Sequence, residues 1–167
     1  MLRVWQKHVT AGEIQLPNLP HGAVIAKSID QPLIAPADIP QDTLTYGGHH
    51  FKLYTEARNW FQAAQFCRNL GGHLATIHSR GENDVLVKML DGNRVAWLGA
   101  SDESTEGKWK WNDGEPVSFN DWLPGEPSNT THREQGLAFG NQNNLQTIGW
   151  NDTNLRNALP FICEWDQ

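Results

Sequence analysis

Two segments of this chain are written as helices at both ends, and both lie between Asn59 and Gly92; beyond Gly92 no stretch repeats at helical spacing. In the first, Asn59 precedes apolar or small residues at Trp60, Ala63, Ala64, Cys67 and Leu70. Gln62 completes an Asn-x-x-Gln capping box, and Gly71-Gly72 stops the run. The second opens on Ser79 as N-cap with Glu82 three residues later, carries Val85, Leu86, Met89 and Leu90, and ends at Asp91-Gly92. Around this pair the chain offers only short strand candidates. His50 to Tyr54 alternates and carries aromatics, Val95 to Ala100 is wholly apolar, and Lys108 to Trp111 alternates before an Asn112-Asp113-Gly114 turn. Ile148 to Trp150 and Pro160 to Trp165 supply two closing strands, and Pro116 to Thr147 reads as one long loop. The expected class is α+β: two helices, several short antiparallel strands and one long excursion. A loop of that length inside a compact domain is either functional or a sign that an element within it has been missed.

A chain of 167 residues with 38% hydrophobic content buries one core, not two. Pro17, Pro20, Pro32, Pro36 and Pro40 recur through the first segment and oppose long helices and central strands. Residues 1–44 are therefore expected to be an N-terminal arm or linker, and residues 45–167 the domain. The net charge of −6, with Lys and Arg scattered, argues against a nucleic-acid or anionic-membrane partner. No apolar run approaches the roughly 20 residues of a membrane span. Met1 to Lys7 lacks the apolar core of a signal peptide, which taken alone implies a cytoplasmic protein or a fragment of a longer chain.

Two features carry chemistry. Cys67 and Cys163 match no zinc-site spacing, which leaves buried free thiols or one disulfide. The disulfide is preferred, because it ties the first helix to the last strand, and the chain-entropy model makes such a bond worth up to about 4–5 kcal/mol. The second feature is Gly125-Glu126-Pro127-Ser128-Asn129, followed by Glu134 and by Trp150-Asn151-Asp152. Glu126, Glu134 and Asp152 more than neutralise a divalent cation, and Ser128 and Asn151 add neutral oxygens. Ca²⁺ takes six to eight such oxygens in irregular geometry, so a loop can supply its site.

The order of these elements resembles the C-type lectin domain family over about residues 46–166. The resemblance rests on Cys67-Arg68-Asn69-Leu70-Gly71-Gly72-His73-Leu74-Ala75-Thr76-Ile77, Trp97-Leu98-Gly99, and Trp109-Lys110-Trp111 before Asp113-Gly114. Trp122 before Gly125-Glu126-Pro127, then Trp150-Asn151-Asp152 and Phe161-Ile162-Cys163-Glu164, complete it. It implies a double-loop fold with paired termini and a long loop that carries calcium and ligand. It also implies that Glu126, Ser128, Glu134, Asn151 and Asp152 hold the principal Ca²⁺. Glu126, Ser128, Glu134 and Asn151 would then meet a carbohydrate, whose vicinal hydroxyls replace metal-bound waters, donating to carboxylates and accepting from amides. The bond before Pro127 is usually cis in this motif. Ser128 departs from the family's Asn or Asp and leaves the sugar open, while Glu126 tilts the choice toward equatorial 3,4-diols such as mannose or glucose. An auxiliary calcium would use Asp102, Glu106, Asn129 and Glu134, with Gln135 nearby. Amides stand at Asn129 and Gln135 where well-formed sites have carboxylates, so this site is expected to be weak or empty. The family's usual second disulfide is missing, with Gly136 and Leu155 near its positions. Location outside the cell or at its surface, and fusion to other domains or oligomerisation, also follow from the resemblance.

Other constellations have plainer readings. Trp111-Asn112-Asp113 and Gly114-Glu115-Pro116 repeat parts of the calcium motif, but Asn-Asp-Gly is turn chemistry. His49, His50, His73 and His78 lack the i, i+4 spacing of a helical zinc pair, so no hydrolytic metal site is expected. Asp102 with Glu106 is weak evidence for a glycosidase pair, and the chain is read as non-enzymatic. Trp122 and Trp150 are expected to pack in the core and not on a sugar face. The competing function is a calcium-independent protein-interaction module on the same fold.

Overall fold

A computed structural model describes residues 39–130, 132–140 and 147–166. Its strands are β1 (Leu44–Tyr46), β2 (His49–Arg58), β3 (His73–Leu74), β4 (Ala96–Ser101), β5 (Lys110–Trp111), β6 (Gly136–Gly140), β7 (Gly149–Thr153) and β8 (Leu159–Asp166). The helices are α1 (Trp60–Asn69) and α2 (Arg80–Met89). Most of the arm expected over residues 1–44 lies outside the described residues.

Both helices begin where their caps stand. Asn59 Oδ1 accepts from Gln62 N at 2.9 Å while Gln62 Oε1 accepts from Asn59 N at 3.2 Å, a reciprocal box that satisfies two otherwise orphaned donors. Ser79 Oγ accepts from Glu82 N at 3.2 Å at the start of α2. α1 is capped by Leu70, after which Gly71 takes a φ of 76° that a side chain would disfavour.

The sheet runs β1-β2-β8-β4-β6-β7, with β3 added on β8 and β5 on β4. β2 and β8 pair antiparallel from His49↔Asp166 through Tyr54↔Phe161, so the two ends of the domain close on each other. Cys67 and Cys163 form a disulfide between α1 and β8, with Cα atoms 5.4 Å apart. The core has two clusters on the one sheet: one gathers Phe51, Ile77, Leu86, Leu98, Phe139, Trp150 and Ile162, and the other packs Ala63, Cys67, Leu74, Trp97, Phe161 and Trp165 between α1 and the sheet. The buried indoles keep partners: Trp97 Nε1 donates to Arg58 O, Trp165 Nε1 to Leu70 O and Trp150 Nε1 to Asn83 Oδ1.

The structure corrects the single long excursion. Residues 136–140 form β6, fully buried between β4 and β7. Leu137-Ala138-Phe139 is too short an apolar run, and too closely bounded by glycines, to register against its polar surroundings; its strand character comes from pairing on both sides. β1 and β3 are likewise too short to carry a period of their own. Gly136 has a packing reason: a Cβ there would lie 2.7 Å from Leu155 Cδ2 and 2.8 Å from Trp97 Cζ3. The Leu155 side chain thus packs directly against Gly136. The Trp111-Asn112-Asp113-Gly114 repeat is a turn, closed by Gly114 N to Trp111 O at 2.9 Å with Gly114 at φ 90°.

Candidate calcium and carbohydrate site

Asp152 belongs to β7, not to a loop, where it pairs with Leu137 and is 2% exposed. Asn151 precedes it, pairs with Ala138 and lies over Gly140, where an added Cβ would come within 3.0 Å of Asn151 Cβ. The rest of the set comes from the segment before β6. Glu126 N donates to Leu123 O at 2.9 Å, the Glu126–Pro127 bond is cis, and Asn129 turns the chain at φ 42°. This turn aims two amides at one carboxylate: Ser128 N donates to Asp152 Oδ1 at 3.0 Å and Asn129 N to Asp152 Oδ2 at 2.7 Å. Thr130 N donates to Glu134 Oε2 at 2.7 Å, and Ser128 Oγ lies 2.8 Å from Thr130 Oγ1. The contribution of Thr130 has no signal in the sequence, because it arises from a backbone N–H.

Glu126 completes the cluster. Its carboxyl is held above the ordinary glutamate value, first by burial and then by the adjacent Asp152 carboxylate, and its Oε2 is buried with no hydrogen-bond partner. Among the described residues no Lys, Arg or His forms an ion pair with Glu126, Glu134 or Asp152. Crowded carboxylates with an orphaned buried oxygen and no cationic neighbour fit a hard divalent cation with oxygen ligands.

The auxiliary set is only partly assembled. Asp102 is buried, accepts from Gly107 N at 2.8 Å through Oδ2, and has an unpartnered buried Oδ1. Burial raises its pKa, and the charges of Glu106 and Asp152 add to the effect. Asn129 Oδ1 instead accepts from Glu134 N at 3.4 Å, and Gln135 contributes its carbonyl to Asp102 N at 3.2 Å.

Trp150 is fully buried, with the rings of Trp111, Phe119 and Trp122 edge-on to it at 5.7–5.9 Å, so it packs in the core as expected. The histidines do not stay scattered: His49 and His73 meet at the β2-β8 end, beside Glu164 and Asp166.

The lectin C-type domain model matches residues 56–165. The chain belongs to the C-type lectin domain family. A C-type lectin mannose-binding isoform from Oxyuranus scutellatus is 32% identical over 133 residues, covering 75% of this chain and 82% of that protein. Among solved structures, the cow C-type carbohydrate-recognition domain of CD23, in the presence of GlcNAc2Man3 oligosaccharide, is similar with a TM-score of 0.68 at 29% identity. That likeness covers 77% of this chain and 95% of the CD23 chain. Herring type II antifreeze protein is similar to the same degree, with a TM-score of 0.69 at 26% identity over 77% of this chain and 98% of its own. C-type lectin domains are generally carbohydrate-binding and typically non-enzymatic, mostly in secreted or cell-surface proteins. Among the described residues of this one, no helix is long and apolar enough to cross a membrane.

Proposed function

We propose that this C-type lectin domain binds a glycan through one Ca²⁺ held by Glu126, Ser128, Glu134, Asn151 and Asp152. The observation that carries the reading is the juxtaposition of Glu126 and Asp152, two partly or fully buried carboxylates that pair with no basic side chain among the described residues. Glu126, Ser128, Glu134 and Asn151 are the groups that would meet the sugar, with Glu126 favouring an equatorial 3,4-diol of the mannose or glucose type. The mannose-binding relative and the oligosaccharide in the CD23 structure support that class. Residues 45–167 form the lectin module and residues 1–44 the arm that joins it to other domains or copies. Several copies would raise avidity where one site binds weakly.

One observation favours a calcium-independent interaction module. Ser128, Asn129 and Thr130 already spend their amides on Asp152 and Glu134, so the loop closes on itself. The antifreeze protein shows that the fold also serves other ends.

Calorimetric titration with Ca²⁺, then with mannose and galactose with and without chelator, separates the two. Saturable calcium heat followed by chelator-sensitive mannose binding supports the lectin. No heat and no thermal stabilisation at millimolar Ca²⁺ overturns it.

A further inference from the structure

Strands β2 and β8 pair at a second polar cluster that the calcium site does not use. His49 Nδ1 lies 2.9 Å from Glu164 Oε1 and 2.8 Å from Asp166 Oδ1. The three ligand-bearing atoms lie within 4.8 Å of one another. A ring nitrogen carries at most one hydrogen, so His49 cannot donate fully to both carboxylates. Two negative groups therefore converge on one nitrogen.

The remaining atoms of the cluster are held from behind. Glu164 is only 3% exposed at its side chain, and its Oε2 accepts from Thr76 N at 2.7 Å and from Thr76 Oγ1 at 2.9 Å. Asp166 Oδ2 lies 3.1 Å from His73 Nε2, and His73 Nδ1 lies 2.9 Å from Leu74 O. Each carboxylate thus presents one oxygen to His49 while its other oxygen is fixed by a neighbour, an arrangement that orients metal ligands. A cavity of about 540 Å³, lined by His49, His73, Glu164 and Asp166 among others, gives access.

We propose that His49 Nδ1, Glu164 Oε1 and Asp166 Oδ1 hold a Zn²⁺ ion, with His73 positioning Asp166. Imidazole with carboxylate suits Zn²⁺ better than Ca²⁺, which takes oxygens alone. Tetrahedral Zn²⁺ with ligands at about 2.0–2.2 Å sets its donors roughly 3.3 Å apart, so the two distances from His49 Nδ1 to the carboxylates open by only a few tenths of an ångström, and the two carboxylate oxygens already lie within 4.8 Å of each other. A water takes the fourth position. His49 stands on β2 and both carboxylates on β8, so the ion fastens the first long strand of the domain to the last.

The test is calorimetric titration of the full chain with Zn²⁺ in excess Ca²⁺, for the wild type, His49→Ala, Asp166→Asn and His73→Gln. One Zn²⁺ per chain is expected, with affinity lower by about tenfold or more in His49→Ala and Asp166→Asn, and by about 10–100-fold in His73→Gln. At saturating Co²⁺, the visible d–d band should change in His73→Gln, a readout that general destabilisation does not move. If His49→Ala fails to fold, the ¹⁵N shift of His49 Nδ1 in the wild type reports coordination without any substitution. No binding at millimolar Zn²⁺, equal affinity in Asp166→Asn, an unmoved His49 Nδ1 shift, or loss of Zn²⁺ only in Asp152→Ala would each overturn the proposal.

Discussion

Asn129 N–H donates to Asp152 Oδ2 at 2.7 Å, so the segment after the cis Glu126–Pro127 bond is docked onto strand β7 by a carboxylate. The same aspartate receives Ser128 N–H at 3.0 Å. Asp152 is therefore both a proposed calcium ligand and the anchor of the loop that supplies the others.

Asp152→Ala is expected to abolish saturable calcium heat, and to cost the metal-free protein about 1–3 kcal/mol by removing the acceptor of two amides. Asp113→Ala, in the hairpin turn, is expected to leave calcium binding unchanged. Paired calorimetric titrations and chemical denaturation check both. Equal calcium heats in the two variants would remove Asp152 from the site.

Calcium is expected to slow amide hydrogen exchange at Ser128, Asn129 and Thr130, whose N–H groups donate to Asp152 and Glu134. The metal would tie those carboxylates down, so the amides open less often. Exchange by NMR or mass spectrometry, with Ca²⁺ and with chelator, reads this directly. Identical rates would contradict it.

The pH dependence follows from raised carboxyl pKa values. Burial raises Glu126, Asp102 and Glu164 above their ordinary values in the folded protein, with Asp152 adding to the effect at Glu126. The folded state then binds more protons than the unfolded one just above the ordinary carboxylate range. These groups stabilise the metal-free protein least once they are ionised, so their contribution falls as pH rises from about 4 through their folded values. Calcium requires the ionised forms and should offset the fall, while its own affinity weakens on acidification. Melting curves across this range, with and without Ca²⁺, should diverge as pH rises; parallel curves would count against the site.

Asn83→Ala is expected to destabilise the domain by about 1–3 kcal/mol. Asn83 is 1% exposed, accepts from Trp150 Nε1 at 2.8 Å and donates to Asp121 Oδ2 at 2.8 Å, linking α2 to the strand that carries Asp152. Urea unfolding measures the loss. A change within a few tenths of a kcal/mol would mean that water replaces both bonds.

Local signals served where the cause is local. The caps at Asn59 and Ser79, the glycines after α1 and the Asn112-Asp113-Gly114 turn act through hydrogen bonds between near neighbours, and all are legible in the chain. β6 was not, because its strand state depends on β4 and β7 and its residues lack a period of their own. The triplet motif, Glu134 and Asn151-Asp152 could be named as candidates, but the transfer of Ser128 and Asn129 amides to Asp152 could not. A backbone N–H has the same sequence signature everywhere.

What the sequence alone determined is the family, the α+β order of elements, the two helix boundaries and the set of oxygen-bearing residues around the long loop. These rest on side-chain type and spacing, which belong to the unfolded chain as much as to the folded one. Tertiary structure alone decided that Asp152 lies in a strand, that Glu126 and Asp152 crowd one another, and that His49 meets Glu164 and Asp166 across the β2-β8 pairing. Burial and the approach of residues a hundred positions apart depend on how strands register. Register is a property of the assembled sheet, set by which faces the core covers.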